Sequence, residues 1–117
     1  MRRDPGFYLA DILNAMQSIQ GFVEGISFEE FTQDDKTASA VLRKLEIIGE
    51  AAKNVPKDLR DKYPEIPWKE MAGMRDRLIH VYFGVDYRLV WRTTAKRIPE
   101  IMPEMKRALE QTRGPGD

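Results

Sequence analysis

Several features common in other protein classes are missing from this sequence. It contains no cysteine, which excludes a disulfide framework and thiolate catalysis. No apolar run approaches the length that crosses a bilayer, and the charged N-terminal segment 1–6 is not followed by the apolar core of a signal peptide. We therefore expect a cytoplasmic protein that has no membrane partner.

The chain also lacks a charge excess of either sign, because 19 basic residues balance 19 acidic ones. Proteins that hold long nucleic acids by electrostatics alone are usually basic. The balance argues against a general DNA coat but allows a local basic groove. The length of 117 residues, with 42% hydrophobic and 32% charged residues, is typical of one globular domain. A helical protein of this size often completes its core by dimerising.

Alternation of apolar and polar residues, the pattern of strands, is nearly absent, whereas helical spacing recurs throughout. We predict an all-α, up-and-down bundle of four to five helices over residues 1–113, with a disordered tail at 114–117. The first long helix is predicted to run from an N-cap at Asp4 to Gly25, and the second from Asp34 or Asp35 to Pro56. A third should start at residues 67–68 and include 75–82, a fourth should cover 87–98, and a last one should run from 99–103 to Gln111. Short helices are predicted after Ser27 and over 57–63.

Two of these helices carry clear apolar stripes at steps of three and four residues. The stripe of the first helix consists of Tyr8, Ile12, Ala15, Ile19 and Phe22. The stripe of the second consists of Ala38, Val41, Leu42, Leu45, Ile48, Ala52 and Val55. We expect these stripes to supply much of the core.

The only histidine of the chain, His80, lies in the segment Arg75-Asp76-Arg77-Leu78-Ile79-His80-Val81-Tyr82. Cleavage of RNA by its own 2′-hydroxyl needs a base for that hydroxyl, an acid for the leaving 5′-oxygen and a cationic group beside the phosphate. It needs neither a metal nor a cofactor. His80 can be the base or acid, Arg75 can hold the phosphate, and Asp76 can orient the imidazole. Arg75 and His80 lie roughly 140° apart on a helix, so a partner subunit or the reach of arginine must complete the site.

Simpler interpretations exist for each of these residues. His80 can be a partly buried histidine hydrogen-bonded to a local carbonyl, and Arg75 can be a solvated charge or an ion-pair partner of Glu70 or Asp76. Arg77 fits the solvated interpretation best. Tyr82, taken alone, is typical of a core or interface aromatic.

Three further groups of residues have two interpretations each. Glu46 and Glu50 share a helix face and are solvated acids by default, although Glu50 can instead support the site from outside by orienting the helix of the 75–82 segment. A basic stripe is formed by Arg88, Arg92 and Lys96, with Arg97 beside it. It can bind an RNA backbone or the acidic surface of a partner, or it can simply be solvated. The neutral overall charge of the chain favours solvation. Trp68 and Trp91 are expected to be core or interface anchors rather than base-stacking platforms.

The arrangement Arg-x4-His-x-Tyr over residues 75–82 resembles the signature of the HepT-like toxins, within the HEPN superfamily. Other segments are similar to the same family, so the resemblance covers roughly residues 7–105. These segments are Leu45-Glu46-Ile47-Ile48-Gly49-Glu50-Ala51-Ala52, Ile66-Pro67-Trp68, Gly73-Met74-Arg75 and Val85-Asp86-Tyr87-Arg88-Leu89-Val90-Trp91. The residue after the arginine is often asparagine in this family, and Asp76 lies within its range.

The resemblance implies a metal-independent endoribonuclease toxin of a type II toxin–antitoxin system, without cofactors. It implies a homodimer in which arginine and histidine from both subunits, here Arg75 and His80, face one cleft. It also implies an MNT-type nucleotidyltransferase antitoxin that neutralises the toxin by transferring AMP to the motif tyrosine, here Tyr82. Because each chain has one histidine, dimerisation would also supply the second member of the acid–base pair. The alternative is a non-catalytic subunit that binds substrate or nucleotide for a nucleotidyltransferase.

Overall fold

The computed structural model describes residues 4–81 and 86–113, including their side chains except those of residues 75–81. The described residues form helices and contain no β-strand, which confirms the predicted all-α class. The helices are α1 (Pro5–Val23), α2 (Phe28–Thr32), α3 (Asp35–Asn54), α4 (Lys57–Lys62), α5 (Trp68–Val81), α6 (Tyr87–Arg92) and α7 (Ile98–Arg113), with a π-helical turn at Thr93–Arg97. The tail expected to be disordered, residues 114–117, lies outside the described residues.

The predicted helix starts coincide with side-chain caps. The Asp4 carboxylate accepts a hydrogen bond from the Gly6 amide at 2.8 Å, and Pro5 occupies the first turn of α1. Ser27 and Glu30 form a reciprocal capping box at α2, with hydrogen bonds of 3.1 and 2.9 Å to each other's amides. Between the two helices Gly25 adopts a positive φ of 78°, a conformation that glycine tolerates because it has no Cβ.

Helix α3 begins with the cap that the acidic pair at 34–35 predicted. Asp34 accepts hydrogen bonds from the backbone amide and the hydroxyl of Thr37, at 3.0 and 2.6 Å. Val55 ends the helix before Pro56, which then serves as the N-cap position of α4. Most of the predicted apolar stripe is buried, and Leu42 is partly buried against the same core.

The core forms where the long helices pack side by side. Helix α3 packs against both α1 and α5, and α1 also packs against α7. Residues from all of these helices belong to one buried cluster, which includes Ile12, Ile19, Ile48, Met71 and Met105. None of the described helices is both long and apolar enough to cross a bilayer.

Two expectations about helix faces and breaks were wrong. Phe22 ends the predicted stripe of α1, but 40% of it is exposed, because α1 ends at Val23 and it is Val23 that contacts the core instead. The change to the last helix, predicted within 99–103, was also misplaced, since α7 begins at Ile98 directly after the π turn and the chain stays helical from Tyr87 to Arg113.

A π turn explains how Pro99 is accommodated in this helical path. A proline ring clashes with the carbonyl of the residue four positions earlier, which for Pro99 is Ala95. The Ile98 amide instead donates to the carbonyl of Thr93, five residues back, and this wider turn directly precedes Pro99. The helix therefore continues through the position where the sequence predicted a change of element.

Candidate active site

The predicted site residues lie toward the C-terminal end of α5. Its backbone is one continuous α-helix over Trp68–Val81, so positions 75, 76 and 80 share a single helix, as predicted. The side chains of Arg75, Asp76 and His80 lie outside the described ones, and Tyr82 lies outside the described residues altogether. Their chemical roles stay predictions.

Helical continuity fixes the relative directions of these positions. At about 100° per residue, positions 75 and 80 are roughly 140° apart, whereas positions 76 and 80 are only about 40° apart. Met71 and Met74 mark the buried side of the helix. Position 75 is about 40° from Met71 and position 80 is about 180° from it. One helix therefore presents positions 75 and 80 in different directions.

The first turns of α5 are fixed to the rest of the protein. The indole Nε1 of Trp68, which is 8% exposed, donates to the carbonyl of Tyr63 at 3.0 Å. The Tyr63 ring is itself buried, and its hydroxyl donates to Gln111 of α7 at 2.9 Å. Since an α-helix is stiff, these anchors also constrain the direction of the C-terminal part of α5 that carries the motif.

A bidentate ion pair links α5 to the π turn. Arg97 donates from Nε and Nη2 to the two oxygens of Glu70, at 2.6 and 3.1 Å. Hydrogen bonding to Glu70, and the negative charges of Glu70 and Glu100, raise the pKa of the Arg97 guanidinium although desolvation opposes this. The sequence offered Glu70 only as a partner of Arg75, and a contact between residues 27 apart had no local signal.

Glu50 lies on α3 and faces a groove shared with α1. It is exposed and lines a groove of about 340 Å³ whose other walls come from α1 and α3, including Tyr8 and Asp11. Glu46 lines the same groove and pairs with Arg43 at 3.4 Å. No residue of α5 lines this groove within the described part of the chain. An orienting role of Glu50 toward α5 remains a prediction.

Both tryptophans are anchors, as predicted. The Trp91 ring lies 5.2 Å from the Phe31 ring and 6.2 Å from the Phe28 ring, between centroids. Trp68 belongs to the buried cluster. Neither indole is a free stacking platform.

The basic stripe, defined as Arg88, Arg92 and Lys96, lies on α6 and the π turn. All three side chains are exposed. The Arg88 guanidinium lies 5.7 Å from the centroid of the Phe28 ring, in a cation–π contact. None of the three forms an ion pair with another described residue. No group of three or more metal-ligating side chains occurs among the described residues either.

Comparisons with known proteins agree on one family. Residues 12–110 match the family described as ribonuclease HepT-like, and this match includes positions 75–82. A relative from Caldanaerobacter subterraneus, provisionally named an RNase, is 50% identical over 109 residues, which are 93% of this chain and 97% of the relative. A second from Thermococcus cleftensis, provisionally named ribonuclease HepT, is 54% identical over 101 residues, 86% of this chain and 92% of the relative.

A third relative, from Methanocaldococcus jannaschii, is also provisionally named an RNase. It is 50% identical over 113 residues, which are 97% of this chain and 93% of the relative. No solved structure matches the chain at a significant level. The similarity to these relatives therefore extends over nearly the whole length of each protein.

Proposed function

Because this chain belongs to the ribonuclease HepT-like family, we propose that it is a metal-independent endoribonuclease whose active site is shared by two copies of the chain. The observation that carries the proposal is the family match, which includes the segment with the only histidine. That segment also supplies the residue types that transphosphorylation of RNA requires: an acid–base group, a phosphate-binding cation and an orienting carboxylate.

The proposed reaction needs only groups of the protein and the RNA. His80 accepts the proton of a 2′-hydroxyl, whose oxygen attacks the adjacent phosphorus. The bond from phosphorus to the 5′-oxygen breaks, and that oxygen takes a proton from the second histidine. The products are a 2′,3′-cyclic phosphate and a free 5′-hydroxyl. Arg75 stabilises the negative charge on the phosphoryl oxygens, and Asp76 orients the His80 imidazole.

Two facts support a dimeric site. Positions 75 and 80 are roughly 140° apart around the continuous helical backbone of α5, so the two positions do not share a helix face. Each chain also has only one histidine, whereas the reaction uses a base and an acid. A twofold axis beside α5 would bring two copies of His80 and two of Arg75 into one cleft.

We propose that cleavage is controlled by a nucleotidyltransferase antitoxin of the MNT type, as the resemblance implies for toxins of this kind. AMP transfer to the Tyr82 hydroxyl would place a phosphodiester two residues from His80. Its negative charge would repel an RNA backbone and its bulk would fill the cleft. Coexpression with an adjacent nucleotidyltransferase should therefore add the mass of one or more AMP groups to this chain, and a Tyr82→Phe variant should not gain it.

The decisive assay for the activity is cleavage of RNA by the purified protein in excess chelator. We expect cleavage by the wild type and a loss of about 10²- to 10⁴-fold in His80→Ala, the usual contribution of a general acid–base. Arg113→Ala, which removes a cation at the far end of α7, should cleave like the wild type. Absence of cleavage by the wild type, or equal cleavage by His80→Ala, would contradict the proposal and favour a binding subunit.

A further inference from the structure

We propose that the basic stripe binds the phosphate backbone of single-stranded RNA and holds the strand beside α5. This inference rests on the proposed function in taking RNA as the ligand. It adds a binding surface outside the 75–82 segment, on the helical path that follows it.

The positive charge of this surface is local, and the described residues do not pair with it. Residues 87–99 contain four basic residues and no carboxylate, although the whole chain is neutral. Arg97 is engaged by Glu70 and Glu100. The three residues of the stripe are exposed and form no ion pair with described residues. The C-terminal half of the same helical path differs, because Glu100, Glu104 and Glu110 alternate there with basic residues.

The length of the stripe suits a row of phosphate groups such as an RNA backbone. Its members are four residues apart, about 6 Å along a helix, so the stripe is roughly 12 Å long. At roughly 3.4 Å per nucleotide, that length spans three to four phosphates of a stacked strand. A linear polyanion therefore fits this surface better than a single small anion does.

The stripe is joined to the helix that carries the motif. The ion pair between Glu70 and Arg97 links the first turn of α5 to the last residue of the π turn. Lys96, the last member of the stripe, directly precedes Arg97, so this end of the stripe lies close to the start of α5. A strand bound along the stripe would therefore run beside α5.

Arg88 is held in place before any ligand arrives. Its guanidinium lies over the ring of Phe28, and that ring packs against Trp91. A side chain ordered by such a contact loses less conformational entropy when it binds a phosphate. The Arg88 end of the stripe is therefore the best ordered for binding.

The test measures binding of a fluorescently labelled single-stranded RNA by anisotropy as the salt concentration is varied. The parent protein is the full-length His80→Ala variant, which leaves the RNA intact. One triple variant changes the basic stripe to alanine. A matched control changes Lys36, Lys106 and Arg113 to alanine, which removes the same charge from exposed positions elsewhere.

The logarithm of the association constant falls with the logarithm of the salt concentration, with a slope of about 0.7 per phosphate contact on single strands. The slope of the stripe variant should therefore be smaller in magnitude by about 2. At about 0.1 M salt each lost contact weakens binding roughly fivefold, which gives a loss on the order of 100-fold for three. The control should lose less than about threefold, since charges beyond roughly 10 Å are screened.

An affinity and a salt slope that match those of the control variant would overturn the inference and leave an acidic protein surface as the occupant of the stripe. The result is separable from the activity. If the wild type cleaves RNA but the stripe variant binds it normally, the inference fails and the proposed function stands. If RNA binding depends on the stripe but no form cleaves RNA, the proposed function fails and the inference stands.

Discussion

Replacing Thr94 by valine should stabilise the protein, although the substitution removes a polar group from the middle of a helix. Thr94 is 1% exposed, and its buried hydroxyl has no hydrogen-bond partner among the residues that the structure describes. A buried polar group without a partner costs about 1–3 kcal/mol. Valine has nearly the same shape and the same branching at Cβ, so neither packing nor rotamer freedom changes much. We expect a gain of about 1–2 kcal/mol.

The neighbouring residue provides a matched control. Thr93 lies in the same π turn, but its hydroxyl donates to the carbonyl of Leu89 at 2.9 Å. The Thr93 amide also donates to that carbonyl, so the acceptor keeps a partner after substitution. Thr93→Val should therefore cost about 0.5–1 kcal/mol, the lower part of the range for a lost hydrogen bond. The same chemical change, made at adjacent positions, should thus have opposite signs.

Thermal and urea unfolding measure both variants. For a chain of this length, 1 kcal/mol corresponds to about 4 °C in Tm, so Thr94→Val should melt roughly 4–8 °C higher and Thr93→Val about 2–4 °C lower. Protein concentration must be the same in all samples because the proposed dimerisation would make stability depend on concentration. A loss of stability in Thr94→Val would refute the reasoning, since it would mean that the Thr94 hydroxyl is satisfied in solution.

Two further substitutions test the anchor of α5 and the cap of α3. Trp68→Phe removes the hydrogen bond to the Tyr63 carbonyl and part of a buried ring, so it should cost about 2–3 kcal/mol in urea unfolding, and an unchanged midpoint would contradict the role of this anchor. Hydrogen bonds from Thr37 lower the pKa of Asp34 in the folded state. The Asp34 carboxylate therefore stabilises the fold above the ordinary pKa of an aspartate, and this stabilisation is lost as the pH falls through the lowered pKa of the folded state. Asp34→Asn should weaken the decrease of Tm with falling pH. A pH profile of Tm equal to that of the wild type would contradict this role.

Local chemistry made part of the fold predictable. The caps at Asp4, Ser27 and Asp34 depend on residues within three positions of each other, so their pattern is visible in the sequence. The stripe of α3 was equally clear, because its spacing alone defines a face. The boundaries of α1 and α3 followed from these local signals.

Tertiary contacts determined what the sequence did not predict. Pro99 predicts a break by its local geometry, but a π turn upstream relieves the clash and the helix continues. The pair of Glu70 and Arg97 joins residues on different helices, so no spacing rule indicates it. Phe22 has the spacing of a core residue but lies where α1 ends and its packing partners no longer cover it.

The sequence predicted where in the chain the candidate site lies, but not how its residues are arranged in space. The spacing of Arg75 and His80 and their shared helix were evident from the sequence, and the continuous backbone of α5 confirms that helix. We propose that a second copy completes the site, and its approach would depend on surfaces that no single-chain pattern defines. The roles of Arg75, Asp76, His80, Tyr82 and Glu50 are therefore predictions for experiment.

A subunit-mixing experiment tests the shared active site most directly. Wild-type protein and the His80→Ala variant are allowed to exchange subunits at constant total concentration, and RNA cleavage is measured in excess chelator. If both histidines of a dimer are needed, activity follows the square of the wild-type fraction, so an equal mixture retains about a quarter of the wild-type rate. A rate of about half, in proportion to the wild-type fraction, would show that each subunit acts alone and would contradict the shared site.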